Sequence, residues 1–218
     1  MELSPREVVG LLGPNGAGKT TIFGMLAGSL GPSAGRVLLA GQDVTVLPMF
    51  RRARLGITYL PQETSVFRRL SVAANIEAIL ETVEPDRRAR RARLHELLDE
   101  LGLADKADRR ADSLSGGERR RLEITRALVL QPTFMLLDEP FAGIDPIAVA
   151  DAQKLVRMLR TRGIGVMITD HNVRETLSIC DRAYIIKDGA ILKHGGPEEV
   201  ARDPRVREVY LGENFRLA

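Results

Sequence analysis

One run constrains this chain more than any other: Gly13-Pro14-Asn15-Gly16-Ala17-Gly18-Lys19-Thr20. It satisfies the P-loop pattern, and it lies between an apolar strand candidate, Glu7 to Leu12, and a helix candidate, Lys19 to Leu30, closed by Gly31-Pro32. Glycines let the backbone fold tightly, so that its N–H groups and the positive end of the following helix point at phosphate oxygens. Lys19 is then expected to reach the β- and γ-phosphates of a nucleotide. Thr20 offers its hydroxyl to Mg²⁺, and Thr21 belongs to the same phosphate-binding set.

A P-loop needs a sheet behind it, and the rest of the chain supplies the rhythm of one. Arg36 to Leu39 and Gly56 to Leu60 are further strand candidates, followed by a helical stretch from Val72 to Leu101. Then come a helix from Gly116 to Leu130, a strand from Phe134 to Leu137, a helix from Ile147 to Arg162, a strand from Val166 to Thr169 and a helix from Asn172 to Cys180. Alternation of this kind predicts an α/β fold with a mostly parallel sheet. Near the end, Tyr184-Ile185-Ile186 and Ile191-Leu192 flank Asp188-Gly189, a hairpin signal.

The chain has 218 residues, 44% of them hydrophobic, enough to bury the core of one domain with a lobe inserted. No apolar run approaches the roughly 20 residues of a membrane-spanning helix, and the N-terminus carries Glu2 and Glu7 in place of a signal peptide's apolar region. Cys180 is the only cysteine, which excludes an internal disulfide and fits a reducing cytoplasm. The formal net charge is +3, with arginines clustered from Arg87 to Arg93. Leu94, Leu97, Leu98 and Leu101 follow at helical spacing, so the cluster reads as the solvated face of an amphipathic helix, with no nucleic-acid partner implied.

Two further motifs carry chemistry. Phe134-Met135-Leu136-Leu137 ends in Asp138-Glu139-Pro140, placing Asp138 at the carboxyl end of the sheet as a Mg²⁺ partner. Glu139, one residue on, points differently and can polarise a water for attack on the γ-phosphate. Leu114-Ser115-Gly116-Gly117-Glu118 opens a helix, with Ser115 and Glu118 spaced as a capping box. Capping does not call for two successive glycines; Gly116-Gly117 leaves N–H groups free to meet an anion. Two phosphate-seeking helix ends therefore lie about a hundred residues apart.

At this point the sequence resembles the nucleotide-binding subunits of ABC transporters over nearly its whole length. The motifs stand in that family's order: P-loop, Gln62, Ser115 to Glu118, Asp138-Glu139, Asp145 in Ala142-Gly143-Ile144-Asp145, and His171 after a strand. The resemblance implies a P-loop NTPase with a RecA-like core over about 1–62 and 118–218, a helical lobe over about 63–117 and a C-terminal hairpin. It implies ATP and Mg²⁺ as ligands, with Gln62 sensing Mg²⁺ and the attacking water, His171 contacting the γ-phosphate and Asp145 spanning a dimer. It further implies a head-to-tail homodimer in which Ser115, Gly116, Gly117 and Glu118 of one subunit close on the ATP of the other. Completion in trans of this sort is worth around 10³ to 10⁵ in rate in other P-loop enzymes. Glu118 stands where most of that family has Gln, and the capping role makes it at home there.

Several segments, some of them outside the nucleotide chemistry, resemble closely the ATPase of the lipopolysaccharide exporter, the LptB family: Tyr59 to Glu63 with Ser65 to Val72, LSGGERRR, LLDEPFAGIDP, TDHNVRET and the tail YLGENFRL. That resemblance implies a pair of integral-membrane permease subunits and a peripheral place on the cytoplasmic face of an inner membrane. Phe67, Arg68 and Arg69 are the candidates for contact with a permease coupling helix, an aromatic and two arginines suiting an interface anchor; the alternative is that Phe67 fills the lobe's own core. The ATPase of a branched-chain amino-acid importer shares the machinery, and Phe67-Arg68-Arg69 with the YLGENFRL tail weigh against it. A ribosome-acting protein would carry two cassettes, a chromosome-maintenance ATPase a long coiled coil, and a pure binding module would lack Glu139.

The same resemblance leaves one demand unmet. The family presents an aromatic ring to adenine from a strand ahead of the P-loop, whereas the first aromatic here is Phe23. Stacking is worth about 1–3 kcal/mol, so weaker ATP binding by roughly 5- to 150-fold at most is expected. Glu2-Leu3-Ser4 reads as the remnant of an antiparallel strand, leaving an exposed sheet edge, in a chain shortened at its start.

Overall fold

The computed structural model of the chain describes residues 1–143 and 146–217, without the side chains of residues 146–148. Two compact units emerge: Met1–Gln62 with Thr133–Ala218, and Glu63–Pro132.

The first unit is built on a six-stranded sheet of β1 (Val8–Leu12), β4 (Ile57–Leu60), β5 (Phe134–Asp138), β6 (Gly165–Thr169), β7 (Arg182–Lys187) and β8 (Ala190–Gly195). Its order is β4-β5-β6-β1-β7-β8, parallel except for the β7–β8 hairpin. Every residue of β1 and β6 is buried, which is why both read as unbroken apolar runs. Asp188 and Gly189 join the hairpin at φ 50° and 78°. Both lie in the left-handed region that a two-residue type I′ turn requires. A separate pair, β2 (Leu38–Leu39) and β3 (Gln42–Asp43), is antiparallel.

Helices α1 (Lys19–Ala27), α2 (Met49–Arg54), α6 (Pro146–Thr161), α7 (Val173–Leu177), α8 (Pro197–Arg202) and α9 (Pro204–Val206) also belong to this unit, with a π-helical turn at Arg207–Leu211. Val9, Leu11, Phe23, Ala27, Leu136 and Met167 pack together on one side of the sheet. Leu12, Leu177, Ile185, Val200 and Val206 form a second cluster, onto which Tyr210, Leu211 and Phe215 of the tail pack. The fully buried Arg52 donates to the carbonyls of Met25, Leu26, Thr45 and Leu47, so it closes the carboxyl end of α1 from a neighbouring helix.

Residues 2–4 form no strand and no sheet edge. Arg182 donates to the Glu2 carbonyl at 2.7 Å, Glu2 N–H donates to the Tyr184 hydroxyl at 3.1 Å, and Leu3 packs on the core. The N–H and carbonyl of Glu2 and the N–H of Ser4 are thus taken up by side chains.

The second unit holds α3 (Val72–Leu80), α4 (Arg87–Glu100) and α5 (Gly116–Leu128). Two differences from the sequence reading appear here. The stretch from Val72 to Leu101 is two helices, because Pro85 cannot continue α3 and Asp86 caps α4 by accepting from Ala89 N–H. The lobe also runs to Pro132, past its expected end near residue 117: α5 packs on α3 and so belongs with it. Leu122, Ile124 and Leu128 are the apolar face of α5. Arg87, Arg88 and Arg91 are exposed, as the amphipathic reading of α4 expects.

Candidate functional site: a P-loop cavity at the carboxyl ends of four parallel strands

Strands β4, β5, β6 and β1 are neighbours and run the same way, so the residues that follow them gather at one rim of the sheet. After β1 comes the Gly13–Thr20 loop, after β4 Gln62, after β5 Glu139, and after β6 His171. Ligands of open α/β sheets bind at this rim. A cavity of about 390 Å³ is lined by Asn15, Gly16, Gly18, Lys19, Thr20, Thr21, Gln62, Glu139 and His171. Residues scattered over more than 150 positions of the chain are brought to one place.

The loop's glycines are required individually. A Cβ at Gly13 would sit 2.1 Å from the Ile186 carbonyl oxygen, while Gly16 and Gly18 hold φ of 78° and 100° in open space. The first is a matter of close approach and the others of backbone conformation. Lys19 is 7% exposed, and its ammonium donates to the Gly13 and Pro14 carbonyls at 2.7 and 3.0 Å. Burial lowers its pKa, opposed by the charges of Glu139 and Asp138. The cation thus lies within electrostatic reach of both carboxylates.

Asp138 does not itself line the cavity; it is buried at the end of β5. Its Oδ1 accepts from the Thr169 hydroxyl at 2.5 Å and its Oδ2 from the Tyr59 hydroxyl at 3.0 Å. Glu139, next along, adopts φ 47°, unusual for a residue with a side chain. Its N–H donates to the Thr169 carbonyl at 2.9 Å. The bend turns Glu139 toward the cavity, where its Oε1 lies 2.7 Å from His171 Nε2. Strain of this kind costs about 1–3 kcal/mol and concentrates at functional sites.

Three residues that sequence reasoning passed over hold this rim together. Tyr59 and Thr169 are the two hydroxyl donors to Asp138. Asp170 is fully buried, and burial raises its pKa against the backbone N–H groups that favour its charge. It accepts from Phe141 N–H at 2.7 Å and from Asn172 N–H at 2.8 Å. The loops carrying Glu139 and His171 are tied together through it. Its place beside His171 was the one available signal.

In the second unit, Ser115 caps α5: Ser115 N–H donates to Glu118 at 2.8 Å and Glu118 N–H donates to the Ser115 hydroxyl at 3.3 Å. The capping box is therefore present. Nothing lies within 4 Å of a Cβ built on Gly116 or Gly117, so the fold of this chain does not itself demand glycine there. Phe67 is 46% exposed, with the Arg126 guanidinium 4.6 Å from its ring centre, and so does not fill the lobe's core. Arg68 and Arg69 are exposed beside it. Asp145 lies outside the described residues.

The description "ABC transporter" matches residues 1–142, and "branched-chain amino acid ATP-binding cassette transporter" matches residues 194–216. The chain belongs to the ABC transporter ATP-binding subunits. A probable ABC transporter ATP-binding protein of Azorhizobium caulinodans is 62% identical over 97% of this chain and 75% of its own length. The lipopolysaccharide export system ATP-binding protein LptB of Acidithiobacillus ferridurans is 57% identical over 100% of this chain and 90% of its own. Among solved structures, an ATP-binding cassette of an ABC transporter in its ADP conformation matches with a TM-score of 0.86 at 28% identity, covering 98% of this chain and 91% of that one.

These findings correct one expectation. The tail YLGENFRL was expected to weigh against a branched-chain amino-acid importer, yet all but its last residue fall inside the segment that matches that family. In this chain the tail packs on the core cluster of Leu12, Ile185 and Val206. Subunits of this family bind and hydrolyse ATP and act as dimers with membrane permease components. No helix among the described residues of this ABC subunit is long and apolar enough to cross a membrane.

Proposed function

We propose that this ABC subunit is the ATPase that powers extraction and export of lipopolysaccharide from the inner membrane, working as a homodimer beneath a pair of permease subunits at the cytoplasmic face. The observation that carries this reading is identity over the whole chain with proteins named for that export system. An ATP site assembled from four parallel strands supports the ATPase half of it.

In the hydrolytic step, Glu139 takes the proton of the attacking water, and His171, 2.7 Å away, orients the carboxylate and contacts the γ-phosphate. Asn15 to Thr21 hold the phosphates through backbone N–H groups and the Lys19 ammonium. Ser115 to Glu118 of one copy complete the ATP site of the other. The side-chain-free helix start at Gly116-Gly117, which its own fold does not explain, supports that role. Asp145, by family resemblance, connects the two sites.

The donor set suits Mg²⁺. Thr20 and Gln62 line the cavity, and among the described residues the oxygens of Asp138 accept from hydroxyls and form no direct ion pair. Mg²⁺ is usually held by one or two protein ligands plus phosphates and waters, and Thr20, Asp138 and Gln62 would hold it. When bound it neutralises charge on the β- and γ-phosphate oxygens. Phe67, Arg68 and Arg69 form the contact for a permease coupling helix, which the exposure of Phe67 supports.

The second reading, the ATPase of a branched-chain amino-acid importer, is favoured by the match at residues 194–216. Purification from membranes with identification of the accompanying integral subunits separates the two. Lipopolysaccharide-export permeases are expected, and recovery of an amino-acid permease would overturn the first reading.

A further inference from the structure

The buried Asp138 is held from two sides, and the two hydroxyls come from different strands. Thr169 lies on β6, opposite Asp138 in the register, and donates to Oδ1. Tyr59 lies on β4 opposite Leu136, two positions before Asp138, so Tyr59 and Asp138 share a face of the sheet. The Tyr59 hydroxyl thereby reaches Oδ2 at 3.0 Å. An ionised carboxylate has about four acceptor positions. One on each oxygen is taken from inside the sheet, which fixes the carboxylate plane and the direction of the remaining lone pairs.

The Tyr59 ring is itself held. It meets the fully buried Phe23 of α1 edge to face, with ring centres 6.2 Å apart and planes at 85°. Aromatic pairs prefer this arrangement. The ring does not line the phosphate cavity, so its hydroxyl acts through Asp138. It also stands three residues before Gln62, on the strand whose end delivers that side chain to the cavity.

We propose that Tyr59 is a positioning residue: its hydroxyl sets the orientation of the Asp138 carboxylate toward the divalent cation that accompanies ATP, and so ties the strand carrying Gln62 to the metal site. This rests on the reading of Asp138 as a metal-holding carboxylate, and the experiment keeps the two apart.

Tyr59→Phe removes the hydroxyl and keeps the ring and its contact with Phe23. Mn²⁺ serves as the probe, its free concentration read by electron paramagnetic resonance in the presence of the full-length protein loaded with ADP. Nucleotide affinity is measured separately in EDTA. Tyr59→Phe is expected to weaken Mn²⁺ binding three- to ten-fold, to leave ADP affinity in EDTA within about two-fold, and to regain ATPase activity as Mg²⁺ is raised. A purely structural role would not be rescued by metal. Asp138→Asn, measured in parallel, should weaken Mn²⁺ binding more strongly. Weak binding in Asp138→Asn with parental binding in Tyr59→Phe would overturn the role of Tyr59 alone. Parental binding in both would overturn the reading of Asp138 as well.

Discussion

Replacing Asp170 by Ala should damage both stability and turnover, by amounts that follow from its contacts. The carboxylate is fully buried and accepts from Phe141 N–H at 2.7 Å and Asn172 N–H at 2.8 Å. A buried donor left without its acceptor costs about 1–3 kcal/mol, and removing a buried charge returns part of its desolvation cost. A net loss of about 2–4 kcal/mol follows for two donors. For a chain of this length each kcal/mol lowers Tm by roughly 2–4 °C, so thermal unfolding should fall by roughly 4–15 °C. Because Asp170 ties together the loops of Glu139 and His171, ATP hydrolysis measured well below the new Tm should fall roughly ten-fold or more. The pH dependence adds a check on sign. Burial raises the Asp170 pKa in the folded chain. Its contribution to stability is therefore complete below the ordinary carboxylate pKa and is lost as pH rises through the raised one. The Tm advantage of the parent over Asp170→Asn should accordingly narrow from acid toward neutral pH. An Asp170→Ala protein that melts within 1 °C of the parent and hydrolyses ATP normally would refute the tether.

Other variants test separate parts of the structure. Glu139→Gln should keep ATP binding, lose hydrolysis by about 10²-fold or more and trap the dimer on size-exclusion chromatography with ATP; normal turnover would sink the role given to Glu139. Arg52→Leu leaves four carbonyls without their buried donor and should cost about 3–5 kcal/mol in urea unfolding. A loss under 1 kcal/mol would show that water replaces those bonds. Phe67→Ala gives up a half-exposed ring and its contact with Arg126, so monomer stability should change by no more than about 1 kcal/mol while permease co-purification drops. Undiminished co-purification would remove Phe67 from the coupling surface.

Much of the site was legible in the sequence because its parts are local. A P-loop, a capping box and an apolar strand ending in two carboxylates are each defined by neighbours within a few positions, and backbone conformation there follows from residue type. The strand order was not legible. Alternation of strands and helices predicts a parallel sheet, but β1 lies between β6 and β7, and that placement depends on packing among segments far apart in the chain. The end of the lobe was misread for a similar reason, since α5 has an apolar face whatever it packs on, and only its contact with α3 assigns it.

By itself, then, the sequence singled out the groups that gather at one rim of the sheet: the loop's backbone amides, Lys19, Thr20, Gln62, Glu139 and His171, with Asp138 buried at the end of β5. Their residue types, and the local turns that aim them, are written in short segments. Only the tertiary structure decided how those groups are held. Thr169 and Tyr59 fix Asp138, Asp170 ties the loops of Glu139 and His171, and Arg52 closes α1. Each of these contacts joins residues more than two dozen positions apart in the chain, apart from the short bond between Asp170 and Asn172. Hydrogen bonds of that reach depend on strand register and burial, which arise only when the whole sheet is assembled.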